Sequence, residues 1–261
     1  MTVNRPLDEY RNSNLISKVP QVTLAFWIIK ILATTVGETG GDAVSMTLNL
    51  GYAVASLIFL AFFCITLAGQ VASKRYHPFA YWAVVVATTT VGTTMSDYLD
   101  RSVGLGYVKS SIMLFCGVLA VLLIWRLVTG RIKFENITTT TEEIFYWLTI
   151  LVSNTLGTAL GDFTATTAGL GFERGALVFA GLIALVAAAH FRLKKIPTSL
   201  LFWAAYVLTR PLGATLGDTL TKSYAQGGLA LGRITSSVVI IALMVVGILL
   251  MSGKAEQSPG S

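Results

Sequence analysis

The sequence predicts an all-α, polytopic membrane protein with eight transmembrane helices, and three observations lead to this class. Hydrophobic residues fill 54% of the 261 positions, charged residues fill only 12%, and the mean hydropathy is +0.71. This charged fraction is about half that of a soluble domain. Mostly apolar runs long enough to cross a bilayer recur along the chain. The eight runs cover about 20–38, 51–72, 78–97, 108–128, 144–162, 174–191, 197–217 and 233–251.

The eight runs form four pairs, and the first run of each pair carries the same motif. The four copies read WIIKILATTVGETGGD from Trp27, WAVVVATTTVGTTMSD from Trp82, WLTILVSNTLGTALGD from Trp147 and WAAYVLTRPLGATLGD from Trp203. In each copy a glycine lies ten residues after the tryptophan, and an aspartate lies five residues after that glycine. Another glycine follows nine residues after the aspartate. These shared spacings indicate tandem duplication, with repeats at about 20–75, 76–135, 140–195 and 197–251.

This motif resembles that of a family of bacterial membrane proteins built from four tandem two-helix "repeats of unknown function", each with a signature tryptophan. The resemblance covers about residues 20–251. It implies a single membrane domain in the bacterial inner membrane and adds little about chemistry. Polar tails at 1–19 and 252–261 flank the domain.

Lysine and arginine predict the orientation of the helices. Twelve of the 19 basic residues lie in the tails or in the connections between pairs, and five lie in the turns inside pairs. Lys30 and Arg210 fall within helices. The positive-inside rule then places both termini in the cytoplasm. Because topology explains the net charge of +6, no nucleic-acid partner is expected.

The polarity of the runs predicts an inner ring made of the first helices and an outer layer made of the second. Two spans per repeat give all copies the same orientation, related by rotation about the membrane normal. The second helices have almost no polar face and suit contact with lipid. The first helices carry the aspartates and pairs of small residues, which permit close helix packing. The motif glycines serve this packing or mark a broken helix that lines a cavity, and both interpretations are open here.

Polar residues of the first helices share one face. Relative to the first motif glycine, positions −3, +1, +5 and +8 are three or four residues apart. In repeat order they hold Thr34, Glu38, Asp42 and Ser45; Thr89, Thr93, Asp97 and Asp100; Asn154, Thr158, Asp162 and Ala165; and Arg210, Ala214, Asp218 and Thr221. We expect these lines of oxygen atoms to border a substrate pathway. The residues predicted for that pathway are Thr34, Thr89, Thr93, Asn154, Thr158, Trp27, Trp82, Trp147 and Trp203.

The depth of the motif aspartates favours a functional role over helix capping. Each lies nine residues before the second motif glycine of its repeat, a distance of about 13 Å if the helix continues. That distance places the aspartates in the outer half of the membrane, where one ionisable residue costs about 2 to 3 kcal/mol. The predicted cation ligands are Glu38, Asp42, Asp97, Asp100, Asp162 and Asp218.

The charge balance of the inner helices predicts a cation as the ligand. Lys30 and Arg210 are the predicted internal counter-ions of the six acidic residues, which leaves up to four negative charges unbalanced. Oxygen ligands without histidine or cysteine favour magnesium, calcium or manganese over zinc or copper. The predicted function is a secondary transporter of manganese or magnesium, with export favoured because no periplasmic capture element is visible. Neither an enzymatic activity nor a cofactor is expected.

Other functions stay open on the sequence. A proton-coupled exporter of organic cations would use cation–π contacts with the tryptophans and proton exchange on the aspartates. A channel with a ring of four aspartates is disfavoured because Glu38 and Lys30 occur only in the first repeat and Arg210 only in the fourth. An aspartyl intramembrane protease would need glycines that the motifs lack. The expected partners are the lipid bilayer and a small cation, and an oligomer is compatible with the sequence.

Arg210 is expected to find its partner in another repeat. Asp218 lies eight residues further along the same helix, about 12 Å away, which is too far for direct pairing. In a closed ring the fourth repeat adjoins the first and the third. The candidate partners are Glu38, Asp42 and Asp162. The alternative is an arginine whose side chain reaches the cytoplasmic surface.

Overall fold

The computed structural model describes residues 19–73, 76–132, 137, 139–193 and 195–256, and these contain long α-helices and no strand. The helices are α1 (Leu24–Asp42), α2 (Gly51–Ala72), α3 (Pro78–Asp97), α4 (Gly106–Thr129), α5 (Thr140–Asp162), α6 (Gly171–Arg192), α7 (Thr198–Thr221) and α8 (Arg233–Glu256). All eight predicted runs are helical, with ends that differ from the apolar runs by a few residues. Most of the predicted tails, 1–18 and 257–261, lies outside the described residues.

Five of the described helices are long and apolar enough to cross a membrane, namely α2, α4, α5, α6 and α8. The apolar stretches of α2, α4, α6 and α8 are only 11–28% buried in the isolated chain, whereas that of α5 is 67% buried. Exposed apolar surface of this extent fits contact with lipid. The chain is therefore a multi-pass membrane protein. Helices α1, α3, α5 and α7 carry the polar residues of the motif, and of these four α5 alone includes a stretch that meets the same length and apolarity.

The inner helices α1, α3, α5 and α7 form a closed ring in chain order, with α7 packed back against α1. Each outer helix packs mainly against the inner helix of the next repeat, so α2 covers α3, α4 covers α5, and α6 covers α7. The last outer helix, α8, covers α1 and closes the outer layer. The inner and outer positions of the helices are those that their polarity predicted.

The first motif glycine lets neighbouring inner helices touch. The same contact recurs around the ring, between Gly37 and Thr89, Gly92 and Asn154, Gly157 and Arg210, and Gly213 and Thr34. A Cβ added at Gly37 or Gly213 would lie only 2.4 or 2.2 Å from the Oγ1 of the facing threonine. Because the inner helices also run unbroken to their aspartates, these glycines serve packing and do not break the helices.

The inner helices of three repeats change geometry directly after the motif aspartate. Five residues of π-helix follow at Ala43–Thr47, Tyr98–Ser102 and Phe163–Thr167, and the next outer helix begins at a glycine with positive φ. In the fourth repeat α7 continues to Thr221 and α8 begins only at Arg233. We name the end of the ring that carries these connections the turn end. The opposite end, where α1 begins and α8 ends, is the terminal end.

Candidate functional site: a cluster of carboxylates and basic residues

The four motif aspartates come together at the turn end of the ring. Asp42, Asp97, Asp162 and Asp218 are each at most 3% exposed. They occupy equivalent positions on the four helices, so the closed ring brings them to one level. Glu38, one helical turn before Asp42, joins two of them: one carboxylate oxygen each from Glu38, Asp42 and Asp218 lies within 4.8 Å of the others. We refer to these three residues as the carboxylate triad.

Arg101 holds the aspartates of the second and third repeats. Its Nε lies 3.0 Å from Asp97 Oδ1, and its Nη2 lies 3.3 Å from Asp162 Oδ2. Its Nη1 donates a hydrogen bond of 2.9 Å to the hydroxyl of Tyr52. Arg101 follows Asp97 by four residues, so the π-helical turn returns it to the face that carries the aspartate.

Lys222 holds the aspartates of the fourth and first repeats in the same way. Its Nζ lies 2.9 Å from Asp42 Oδ2 and 3.0 Å from Asp218 Oδ1. Arg233 Nε approaches Asp42 Oδ2 at 3.4 Å. Burial lowers the pKa of Lys222, but the charges of Asp218 and Asp42 outweigh burial and raise this pKa above its ordinary value. Lys222 therefore carries a positive charge in the site.

The expectation that up to four negative charges lack a partner is wrong. Arg101, Lys222 and Arg233 join the cluster, although the sequence places them only among the five basic residues of the turns inside pairs. A signal for two of them was present in the sequence. The residues four positions after the motif aspartates lie on the same helical face as the aspartates. They are Met46, Arg101, Thr166 and Lys222.

Arg210 lies at the centre of the ring, next to the carboxylate triad. Its side chain is fully buried, and its Nη2 lies 3.0 Å from Glu38 Oε2. The same nitrogen lies 2.5 Å from Thr93 Oγ1 and 2.6 Å from Thr158 Oγ1. These three partners occupy position +1 of the other three repeats. Arg210 thus pairs with another repeat, as expected, and the alternative of a surface arginine is wrong.

Two other predicted site residues lie apart from the triad. Asp100, in the turn after α3, accepts a hydrogen bond of 3.2 Å from Ser96. Lys30 is fully buried, and its Nζ lies 4.2 Å from the centre of the Tyr206 ring. Within the described part of the chain this Nζ has no hydrogen-bond acceptor. The structure therefore does not pair Lys30 with a carboxylate, because eight residues place it about 12 Å from Glu38 along the helix.

The predicted pathway residues form closed layers between the triad and the terminal end. At position −3, Thr34 donates to Thr209 O at 3.2 Å and Thr89 donates to Ala33 O at 3.1 Å. Asn154 donates to Thr88 Oγ1 at 3.0 Å. These side chains tie neighbouring inner helices together.

Nearer the terminal end an aromatic layer fills the ring. Trp82, Trp147 and Trp203 are buried there, and Trp27 is half-buried at the edge. Tyr81 and Tyr146, which also lie on inner helices, belong to this layer, and their hydroxyls are 2.7 Å apart. The tryptophans therefore pack in the closed half of the ring, away from the carboxylates.

A cavity of about 240 Å³ opens on the cluster at the turn end. Asp162, Asp218, Arg101, Lys222 and Gln226 contribute to its lining. A solute can therefore reach the carboxylates from the turn end. On the other side, Arg210 and the aromatic layer fill the ring.

The comparison with known families agrees with this fourfold architecture. The family described as "Repeat of Unknown Function (DUF347)" matches the chain four times, at 25–76, 80–131, 145–195 and 201–254. Each match covers one inner helix and the outer helix that follows it. No curated protein and no solved structure matches the chain. Because the four matches cover most of the sequence, the chain belongs to the family defined by this repeat of unknown function.

Proposed function

We propose that the chain is a secondary transporter of a hard divalent cation, manganese or magnesium, which binds to the carboxylate triad. The observation that carries this proposal is the approach of the Glu38, Asp42 and Asp218 oxygens to within 4.8 Å of one another in a buried site. Oxygen-only ligand sets of this kind are those that magnesium and manganese prefer. Asp42 Oδ1 is buried and has no hydrogen-bond partner among the described residues, which leaves a ligand atom free.

The charges around the triad are compatible with a divalent cation in the place of the Lys222 ammonium. Arg210 pairs with Glu38, and Lys222 lies between Asp42 and Asp218. Arg233 Nε also approaches Asp42 Oδ2 at 3.4 Å, but its side chain is 23% exposed, so solvent screens its charge. A cation that replaces the Lys222 ammonium therefore binds mainly to Asp42 and Asp218, two carboxylates whose charges a divalent cation balances.

The closed layers support transport by alternating access. The cavity reaches the triad from the turn end, whereas Arg210 and the aromatic layer fill the ring toward the terminal end. Transporters commonly expose a site between their repeats to one side of the membrane at a time. We propose that all eight helices span the bacterial inner membrane with both termini in the cytoplasm. The turn end then faces the periplasm, and the favoured direction is export.

Export of organic cations coupled to protons is the second candidate. One observation favours it, which is the position of Lys30 Nζ over the Tyr206 ring at 4.2 Å. An aromatic ring on an inner helix thus already faces one amine, in the arrangement by which aromatic rings bind organic cations.

Transport into proteoliposomes distinguishes the two candidates. The wild type should carry manganese, Asp218→Asn should lose most of this activity, and Asp100→Asn should keep it because Asp100 lies outside the triad. Transport of a bulky organic cation without transport of manganese would favour the second candidate.

A further inference from the structure

Lys222 places an ammonium group inside the carboxylate triad. Its Nζ contacts Asp42 at 2.9 Å and Asp218 at 3.0 Å, and its side chain is only 8% exposed. A lysine ammonium is a compact point charge, so it can occupy a place between carboxylates as an inorganic cation does. A cation that enters the triad must therefore compete with Lys222 for two of the three carboxylates.

The position of Lys222 allows its side chain to leave. The residue directly follows α7, has extended backbone angles and opens the long connection to Arg233. Its backbone is fixed, because its N–H donates to Asp218 O and its carbonyl accepts from Ala230 N, both at 2.9 Å. Its side chain lines the cavity of about 240 Å³, which offers space for the four-carbon stem. Withdrawal from the triad thus requires side-chain rotation and no movement of a helix.

Arg101 provides the contrast within the same ring. It bridges two aspartates at the same spacing from its own aspartate, but it also bonds to the Tyr52 hydroxyl. The guanidinium is a planar fork held by several directional contacts, and it is therefore harder to replace than an ammonium. The second and third repeats are joined by a fixed arginine, whereas the fourth and first are joined by a replaceable lysine.

We propose that Lys222 is an internal substitute cation, which occupies the triad when the protein is unloaded and withdraws when a divalent cation binds. This inference rests on the proposed function. Because Lys222 returns when the cation leaves, Asp42 and Asp218 are compensated in both states. Buried carboxylates without a cation are expensive within a membrane. The unloaded transporter can therefore change its accessible side without a counter-transported ion.

Manganese binding by the detergent-solubilised full chain tests this role. Lys222→Ala removes the competing ammonium and should tighten manganese binding about tenfold or more. The apparent affinity rises with the fraction of molecules whose triad is free to bind, and that fraction increases when no ammonium occupies the triad. Lys222→Arg should weaken binding about tenfold or more, because the guanidinium is harder to displace. Lys109→Ala, at an exposed lysine of the turn end, should bind like the wild type. Equal or weaker binding by Lys222→Ala would overturn the inference, and so would unchanged binding by Lys222→Arg.

Methylammonium separates this inference from the proposed function. Methylammonium carries the same charged group as the side chain that Lys222→Ala removes. It should therefore raise the melting temperature of Lys222→Ala and leave that of Lys109→Ala unchanged. If methylammonium stabilises Lys222→Ala while manganese binds neither that variant nor the wild type, divalent-cation transport fails and the ammonium site is upheld. If manganese binds both proteins with equal affinity, the proposed function is upheld and the substitute role of Lys222 fails.

Discussion

Arg210→Gln removes the guanidinium at the centre of the inner ring. In the wild type its Nη2 lies 3.0 Å from Glu38 Oε2 and within 2.6 Å of the hydroxyls of Thr93 and Thr158. After the substitution, Glu38 Oε2 keeps the hydroxyl of Thr93, 3.3 Å away, as a donor. A buried carboxylate is then left without its nearest positive charge.

The expected loss follows from this burial. Arg210 is 0% exposed and Glu38 is 2% exposed, so solvent screens their interaction weakly. Removal of one partner from a buried ion pair costs about 3–5 kcal/mol of unfolding free energy. Addition of Glu38→Gln removes the unbalanced charge and should recover about half of that loss or more.

A double-mutant cycle read out by unfolding in detergent measures the coupling. Arg210→Gln and Glu38→Gln should be strongly non-additive, as contacting residues are. The control cycle combines Arg210→Gln with Asp162→Asn, because Asp162 pairs with Arg101 at 3.3 Å. That second cycle should be nearly additive. Additive behaviour in the Glu38 cycle would refute the assignment of Arg210 as the central counter-ion.

Three other predictions concern packing, ligand and topology. Gly213→Ala should destabilise by about 1–3 kcal/mol, because its Cβ would lie 2.2 Å from Thr34 Oγ1. A Cβ at the control position Gly69 would meet nothing within 4 Å, so the stability of Gly69→Ala should stay within about 1 kcal/mol of the wild type. Equal melting temperatures of Gly213→Ala and Gly69→Ala would contradict tight packing at Gly213. Manganese at about 100 times its Kd for the wild type should stabilise the wild type by about 2.7 kcal/mol and Asp218→Asn by no more than about 1.4 kcal/mol. An equal shift in that variant would exclude the triad. A reporter active only in the cytoplasm should work at 76, 133 or 195 and fail at 105 or 170, and the reverse at two sites would overturn the topology.

Much of the fold could be predicted because the same spacings recur four times in the sequence. Four motifs at equivalent positions predict four equivalent helix pairs, and the contrast in polarity predicts which helix of each pair lies inside. The motif glycines and the small residues near them predict close packing between inner helices. The contact of Gly213 with Thr34 confirms this packing. These features are local in the chain, so no tertiary contact is needed to recognise them.

The organisation of the site could be predicted only in part, for physical reasons. The motif makes the four aspartates equivalent, whereas tertiary packing divides them into a pair held by Arg101 and a pair held by Lys222. Hydropathy assigns a basic residue between two apolar runs to the surface, although the chain here folds it back toward the ring. Charge alone predicted that Lys30 pairs with the acidic residues, whereas its depth in the ring places it beside Tyr206.

The manganese stoichiometry of purified protein tests the carboxylate triad most directly. Equilibrium dialysis should compare the wild type with Asp218→Asn, which alters the triad, and with Asp162→Asn, which alters the pair held by Arg101. We expect a single bound manganese ion in the wild type and in Asp162→Asn, and binding at least about tenfold weaker in Asp218→Asn, which is about 1.4 kcal/mol. Absence of binding in the wild type, or an equal loss in both variants, would refute the assignment of the carboxylate triad as the cation site.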